Sequence, residues 1–219
     1  MLFSHGDRCE KIFIENCNVC GKNNKFLFGF KVLFHLYFLI IFAPKKIKRN
    51  TTMKIGLMSD THSYLDPKVF QYFESCDEIW HAGDFGTMAL IDQLRAFKPL
   101  RGVYGNIDNN AIQAEMPLDL RFECAGLHVF MTHIGGYPGR YHPRVRPLLI
   151  ENPPSNGLFI TGHSHILKVM PDHTLGFLHI NPGACGNEGW HKVKTLVRFD
   201  IDAGKIGNLE VIEIGQRGG

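Results

Sequence analysis

The chain has 219 residues, 44% of them apolar, which suffices for one packed domain and is thin for two. Its formal charge of +3 is unevenly spread: residues 1–52 hold nine Lys/Arg against three Asp/Glu, and residues 53–219 hold fifteen against eighteen. The basic excess belongs to a leader ahead of an acidic body, so the charge gives no reason to expect a nucleic-acid partner.

Within the leader, "FLFGFKVLFHLYFLIIFA" (residues 26–43) is an apolar stretch that would reach about 27 Å as a helix, close to the hydrocarbon thickness of a bilayer. Lys31 and His35 interrupt it, both flanks are basic, and no A-x-A cleavage site follows. A signal anchor, a buried or interfacial helix, and upstream sequence read from a start codon set too early all compete. The last is preferred, because "TTMKIGLMSD" places a methionine just ahead of the first strand-like run. The expected organisation is an N-terminal extension over residues 1–52 and a folded body over 53–219. A cytoplasmic location is expected, with membrane anchoring through residues 26–43 as the alternative. The body's cysteines lack a framework spacing and suit a reducing compartment, and the lone pair Cys17 and Cys20 is given no role.

After Met53 the apolar runs come in order as "KIGLMSDTH", "EIWHAGD", "LRGVYGNID", "LHVFMTHIGG" and "GLFITGHSH", each reading as a buried strand closed by polar residues and Gly. Between the first three, "DPKVFQYFESC" and "TMALIDQLRAF" have helical spacing, which predicts βαβ units and a largely parallel sheet at the start. Later, "LRFECAGLHVFMTH" reads as a hairpin, "ENPPSNG" as a loop, and "KTLVRFDIDAGKIGNLEVIEI" as two strands joined by a tight turn.

All five strand-like runs deliver Asp, His or Asn at their carboxyl ends: Asp60 and His62, Asp84, Asn106 and Asp108, His133, then His163 and His165. Open α/β sheets carry their ligand sites at that edge. Carboxylate, amide oxygen and imidazole together suit first-row divalent ions such as Mn, Fe, Zn, Co or Ni. With Asp108 set aside, seven donors exceed the needs of one ion with open positions, and a carboxylate shared by two ions accounts for all seven. Taken singly, each residue has a plainer reading as a helix cap or turn residue.

These motifs resemble the calcineurin-like metallophosphoesterases, in particular the small single-domain bacterial and archaeal phosphodiesterases, through D-x-H (Asp60, His62), G-D (Gly83, Asp84), G-N-x-D (Gly105, Asn106, Asp108), T-H (Thr132, His133) and G-H-x-H (Gly162, His163, His165). The resemblance runs from about Lys54 to Gly183 and implies a four-layer α/β/β/α sandwich of two mixed sheets. It further implies one ion, manganese first among the candidates, on Asp60, His62 and His165 and a second on Asn106, His133 and His163, with Asp84 bridging. An extended "GHSH" segment would let alternate histidines reach one ion each, with Gly162 giving the backbone room to turn. The implied reaction is attack on a small phosphoester, most naturally a phosphodiester, by hydroxide generated between two ions about 3.5 to 4 Å apart.

The chain departs from the family pattern at Ile107, where relatives carry a histidine thought to protonate the leaving group. Asp108 is the remaining candidate for that proton, or else a residue that orients His133 or another ligand. Ile134 replaces a common Gly, and "NPGACG" (residues 181–186) puts Ala184 at a serine position, its proximity to the metals being an expectation. Arg140 or Arg144 in "GRYHPRVR" could contact a phosphate oxygen, with a solvated loop as the plain alternative. His81, His128, His142, His173, His179 and His191 lack the strand-end placement and are read as surface or hydrogen-bonded histidines. A protein-binding scaffold of the same fold and a metal-dependent nuclease are the rival functions; a homo-oligomer is allowed.

Overall fold

Alternation along each apolar run decides which side chains face which layer. A computed structural model describes residues 52–218, so the leader, with its 26–43 stretch and Cys17 and Cys20, lies outside the described residues. In β1 (Met53–Met58), Ile55 and Leu57 enter the central core together with Trp80 of β2 (Glu78–His81) and Val103 just past β3 (Leu100–Gly102). Met58 and Ile79 alternate onto the other face. There they meet α1 (Lys68–Phe73), α2 (Met88–Phe97) and α3 (Asn110–Glu115) through Val69, Phe73, Leu90, Leu94 and Ile112.

The second sheet repeats the pattern. In β5 (Leu127–Thr132), Val129 and Met131 face the central core, and in β8 (Leu158–Ile160), Leu158 and Ile160 do the same. Phe130 and Phe159 face outward and are covered by Val145 and Leu149 of α4 (Val145–Glu151). The remaining strands are β4 (Asp119–Cys124), the short pair β6 (Gly136–Tyr137) and β7 (Arg140–Tyr141), β9 (Lys168–Asp172), β10 (Phe177–Asn181), β11 (Val193–Asp202) and β12 (Lys205–Gln216).

Sheet order is β12-β11-β1-β2-β3 in one layer and β4-β5-β8-β10-β9 in the other, with β6-β7 standing apart. The result is the expected α/β/β/α sandwich of two mixed sheets. Parallel pairing joins β1 to β2, β2 to β3, β5 to β8 and β8 to β10; the flanking strands pair antiparallel. Trp80 ties the layers together. Its ring meets Phe122 of the opposite sheet edge-on at 5.0 Å, and its indole N–H donates to Glu78 Oε2 at 3.2 Å, so no polar atom is stranded.

Several elements go beyond the sequence reading. β9 and β10 form a further hairpin around Asp172, whose Oδ1 accepts from the amides of Thr174 and Leu175, each at 2.8 Å. Residues 145–151, given no element by the sequence reading, form α4, and its Pro147 falls in the first turn, where a missing N–H costs nothing. Among the described residues no helix is long and apolar enough to cross a membrane.

Candidate metal centre

The carboxyl ends of β1, β2 and β3 in one sheet and of β5 and β8 in the other lead into the loops that carry all seven sequence-predicted ligands. The first sheet contributes Asp60, His62, Asp84 and Asn106, and the second contributes His133, His163 and His165. Of three bonds here, the first two join the layers and the third ties neighbouring strands of the second sheet. His133 Nδ1–H donates to the carbonyl of Ala82 at 2.8 Å, the amide of His163 donates to both Asp60 carboxylate oxygens at 3.2 Å, and the Gly162 amide donates to the His133 carbonyl at 3.0 Å.

Donor atoms of Asp60, His62, Asp84 and His165 all lie within 4.8 Å of one another. His165 Nε2 is 3.2 Å from Asp60 Oδ1 and 3.2 Å from His62 Nε2, and His62 Nε2 is 3.5 Å from Asp84 Oδ2. On the other side of Asp84, His133 Nε2 lies 3.2 Å from Oδ2 and 3.2 Å from Asn106 Oδ1. The His163 ring stands 5.3 Å from that of His133, centroid to centroid, and is the most open of the imidazoles. Asp84 is thus the residue both groups share.

The donor set passes a direct test of fit. Because His133 Nδ1 carries the proton given to Ala82, a neutral ring leaves a lone pair on Nε2, pointed at the acceptor oxygen Asp84 Oδ2. Two lone pairs at that distance repel unless a cation lies between them. His62 and His165 also face each other through Nε2 at 3.2 Å, a contact bridged either by an N–H of one ring or by a cation. In the metal-free protein, protons take that part. Burial alone would lower the His133 pKa, but the hydrogen bond that Asp84 accepts from it and the charge of Asp60 outweigh burial and hold the value above its usual one. The Asp60 hydrogen bond raises that of His165. Burial would raise Asp84, yet His133, the Ile107 amide and His62 hold it low. For His163, burial and then the charge of His133 lower the pKa.

Backbone strain is concentrated at the same residues. Asp60, His62, Asp84, His163 and His165 have φ of 55°, 47°, 59°, 67° and 58°, in the left-handed region that ordinary residues avoid at a cost of about 1–2 kcal/mol each. The "GHSH" segment is therefore not extended. His163 and His165 are aimed by left-handed turns, which bring successive imidazoles round to different partners. Nor is Gly162 needed for turning: a Cβ there would stand 2.2 Å from Ser59 Oγ and 2.8 Å from the Ala82 carbonyl, so its role is to let the two sheets' loops touch.

Asp108 is buried, and neither oxygen faces His133. Oδ1 accepts from the Gly86 amide and Oδ2 from the Gly105 amide, each at 2.8 Å, so the side chain clamps the loop after β2 to the loop after β3. Ile107 is 44% exposed, and its amide donates to Asp84 Oδ1 at 3.1 Å. His81 is fully buried and stacked on Phe85, and burial pushes its pKa down to about 3. Its ring nitrogens are taken by the Gly83 amide and Thr61 Oγ1. Residues 181–186 do approach the centre, through Cys185 N–H to Ser59 O and Gly186 N–H to Asp60 O, both 3.1 Å. Arg144 is spent on Asp119 and Thr132. His191 is hydrogen-bonded, as one of its two readings had it, to Gly186 O at 3.1 Å, and its ring also meets that of His165 at 5.4 Å, a proximity that nothing in the spacing of "GNEGWHKV" signals.

Two mixed sheets bearing convergent carboxylates and imidazoles at the ends of their parallel strands define a metal-binding α/β/β/α sandwich. The profile of the calcineurin-like phosphoesterase superfamily domain matches residues 53–204, and the chain belongs to that superfamily. It is 30% identical over 139 residues, 60% of this chain and 77% of the other, to a probable metallophosphoesterase of Methanothermobacter thermautotrophicus. It is also 30% identical over 154 residues, 61% of this chain and 84% of the other, to a phosphodiesterase of Methanocaldococcus jannaschii. Among solved structures, Vps29 of Entamoeba histolytica in complex with zinc shares the fold at a TM-score of 0.57 and 16% identity, covering 74% of this chain and 99% of that one.

Proposed function

We propose that the body is a phosphodiesterase that works with two divalent ions, manganese first among them. Asp60, His62 and His165 would hold one, Asn106, His133 and His163 the other, and Asp84 both. The observation that carries this reading is Asp84 Oδ2, 3.2 Å from His133 Nε2 and 3.5 Å from His62 Nε2, a carboxylate oxygen reaching toward both groups of donors. Bound ions would supply Lewis acidity toward a phosphoryl oxygen and make water acidic enough to attack near neutral pH.

The chain's own contribution is to hold these groups in place. The Ile107 amide fixes one Asp84 oxygen and leaves the other toward the centre, the Ala82 carbonyl sets the His133 tautomer, and the His163 amide orients the Asp60 carboxylate. Asp108 acts as a positioning residue, since both oxygens are already committed to amides and it has none left for a substrate proton. The acidic body favours a small phosphoester over nucleic acid.

The test is turnover of bis(p-nitrophenyl) phosphate by the metal-stripped full chain after adding manganese, nickel, cobalt or zinc. Hydrolysis that disappears in Asp84→Asn is the expected result. Well-folded protein inert with every ion would reject the enzyme reading in favour of a binding scaffold.

A further inference from the structure

Beside His163, and sharing it with the metal centre, opens a cavity of about 510 Å³, within the range of small-molecule sites. Its walls come from the β6–β7 hairpin and the 162–168 segment and carry Tyr137, Arg140, His142, Lys168 and His179. The charge here is unusual for an acidic body. Arg144 nearby is neutralised by Asp119, whereas Arg140 and Lys168 have no carboxylate within ion-pair distance among the described residues. Lys168 Nζ instead rests 3.4 Å above the Tyr137 ring. The floor holds a buried orphan. His179 is 1% exposed, its Nε2 is bonded to Thr161 Oγ1 at 3.0 Å, and its Nδ1 has no partner among the described residues, a deficit a ligand oxygen would relieve. Burial pushes its pKa down to about 4, so the ring is neutral and adds no charge.

The second observation concerns the proton. An alkoxide leaving group needs an acid, and the loop after β3 offers none: Ile107 is aliphatic and Asp108 has both oxygens bonded to amides. A phosphate leaving group needs none, since its second pKa of about 6 lets it depart as a dianion at neutral pH.

We propose that this cavity receives the leaving group of the substrate and that the leaving group is itself a phosphate, so that the bond cut is a phosphoanhydride. The proposal rests on the hydrolase reading above and narrows its substrate. In the reaction, water oxygen forms a new bond to the scissile phosphorus and the P–O bond to the bridging oxygen breaks. The electron pair leaves on that oxygen as part of the second phosphate, held by Arg140 and Lys168. The protons of water end on the phosphate products or in solvent.

Two measurements on the full chain test this. With the metal-reconstituted protein, ADP-ribose should be cleaved at its P–O–P bond with a kcat/KM at least about 10-fold above that for glycerophosphocholine, an alkyl diester. The double variant Arg140→Gln with Lys168→Gln should lose at least about 10-fold on ADP-ribose and clearly less on bis(p-nitrophenyl) phosphate, whose leaving group carries no phosphate charge. With the metal-stripped protein, methylenediphosphonate should bind by calorimetry, and the double variant should abolish that binding with an unchanged melting temperature. Equal rates on the anhydride and the alkyl diester, an equal loss on both substrates in the double variant, or absence of diphosphonate binding would overturn the proposal. A chain inert toward every phosphoester would sink the hydrolase reading, and the diphosphonate arm would still decide whether the cavity takes a diphosphate.

Discussion

The interior of the sandwich and its ligand-bearing edge are built from the same strands by opposite rules. Inside, apolar residues alternate with regular backbone: Ile55 and Leu57 go to one side, Met58 to the other, and Trp80 spans the sheets with its N–H satisfied. At the edge, only a few residues further along the chain, five of the seven candidate ligands take left-handed backbone, and imidazole nitrogens crowd one another and a carboxylate oxygen at 3.2 Å. The interior holds the fold together, and the edge draws on that stability to keep groups in contact that would separate in solution. A bound cation would take the place of the protons that bridge these donors in the metal-free protein.

Substitutions can break the two regions independently. Asp84→Asn should abolish turnover and the shared ion and also lower the melting temperature of the metal-free protein near neutral pH, because the carboxylate is held ionised by His133, the Ile107 amide and His62. An unchanged or raised metal-free melting temperature would show that the carboxylate is not paired there before a cation binds. In the interior, Phe73→Ala removes a fully buried ring packed over Gly56 and should cost about 3–5 kcal/mol in denaturant unfolding, with metal stoichiometry retained in the folded fraction.

Between the regions, Asp108→Asn deprives the Gly86 or Gly105 amide of its acceptor. About 1–3 kcal/mol of stability and about 10- to 100-fold in metal affinity should be lost together, readable by chemical denaturation and metal titration. The smallest effect concerns Asp66, whose carboxylate takes Lys194 Nζ at 2.8 Å, both side chains nearly buried. Burial would raise the Asp66 pKa, but Lys194 and the Lys68 amide hold it below its usual value. The pair therefore adds stability above the unfolded value of about 3.9, and that contribution fades as pH falls through the lower folded value. Replacing both, with Asp66→Asn and Lys194→Met, should flatten that acid limb in pH-dependent melts.

The sequence was most legible where one residue type does one job. Apolar runs ending in Asp, His or Asn located five strands and brought all seven predicted ligands to one edge, and the Asp-Ala-Gly-Lys turn located the β11–β12 hairpin. It was least legible where a residue's part depends on a distant partner. Asn109 and Asn110 look like turn residues, and Asn109 Oδ1 instead caps α3 by accepting from Ala111 and Ile112. Pro171 argues against a strand until β9 is seen at the sheet edge, where a missing N–H is harmless. Left-handed backbone at Asp60 or His165 has no sequence signature, since glycine is absent there. The clamp made by Asp108 was equally hidden, because a carboxylate binding amides and one giving a proton read alike.

The central claim is that Asp84 is shared by two ions. Anomalous diffraction at the manganese edge from crystals of the full chain soaked in manganese tests it most directly. Two peaks flanking the Asp84 carboxylate, one within bonding reach of His62 and His165 and the other of His133 and His163, are the predicted result. A single peak, or two that leave Asp84 uncoordinated, would contradict it.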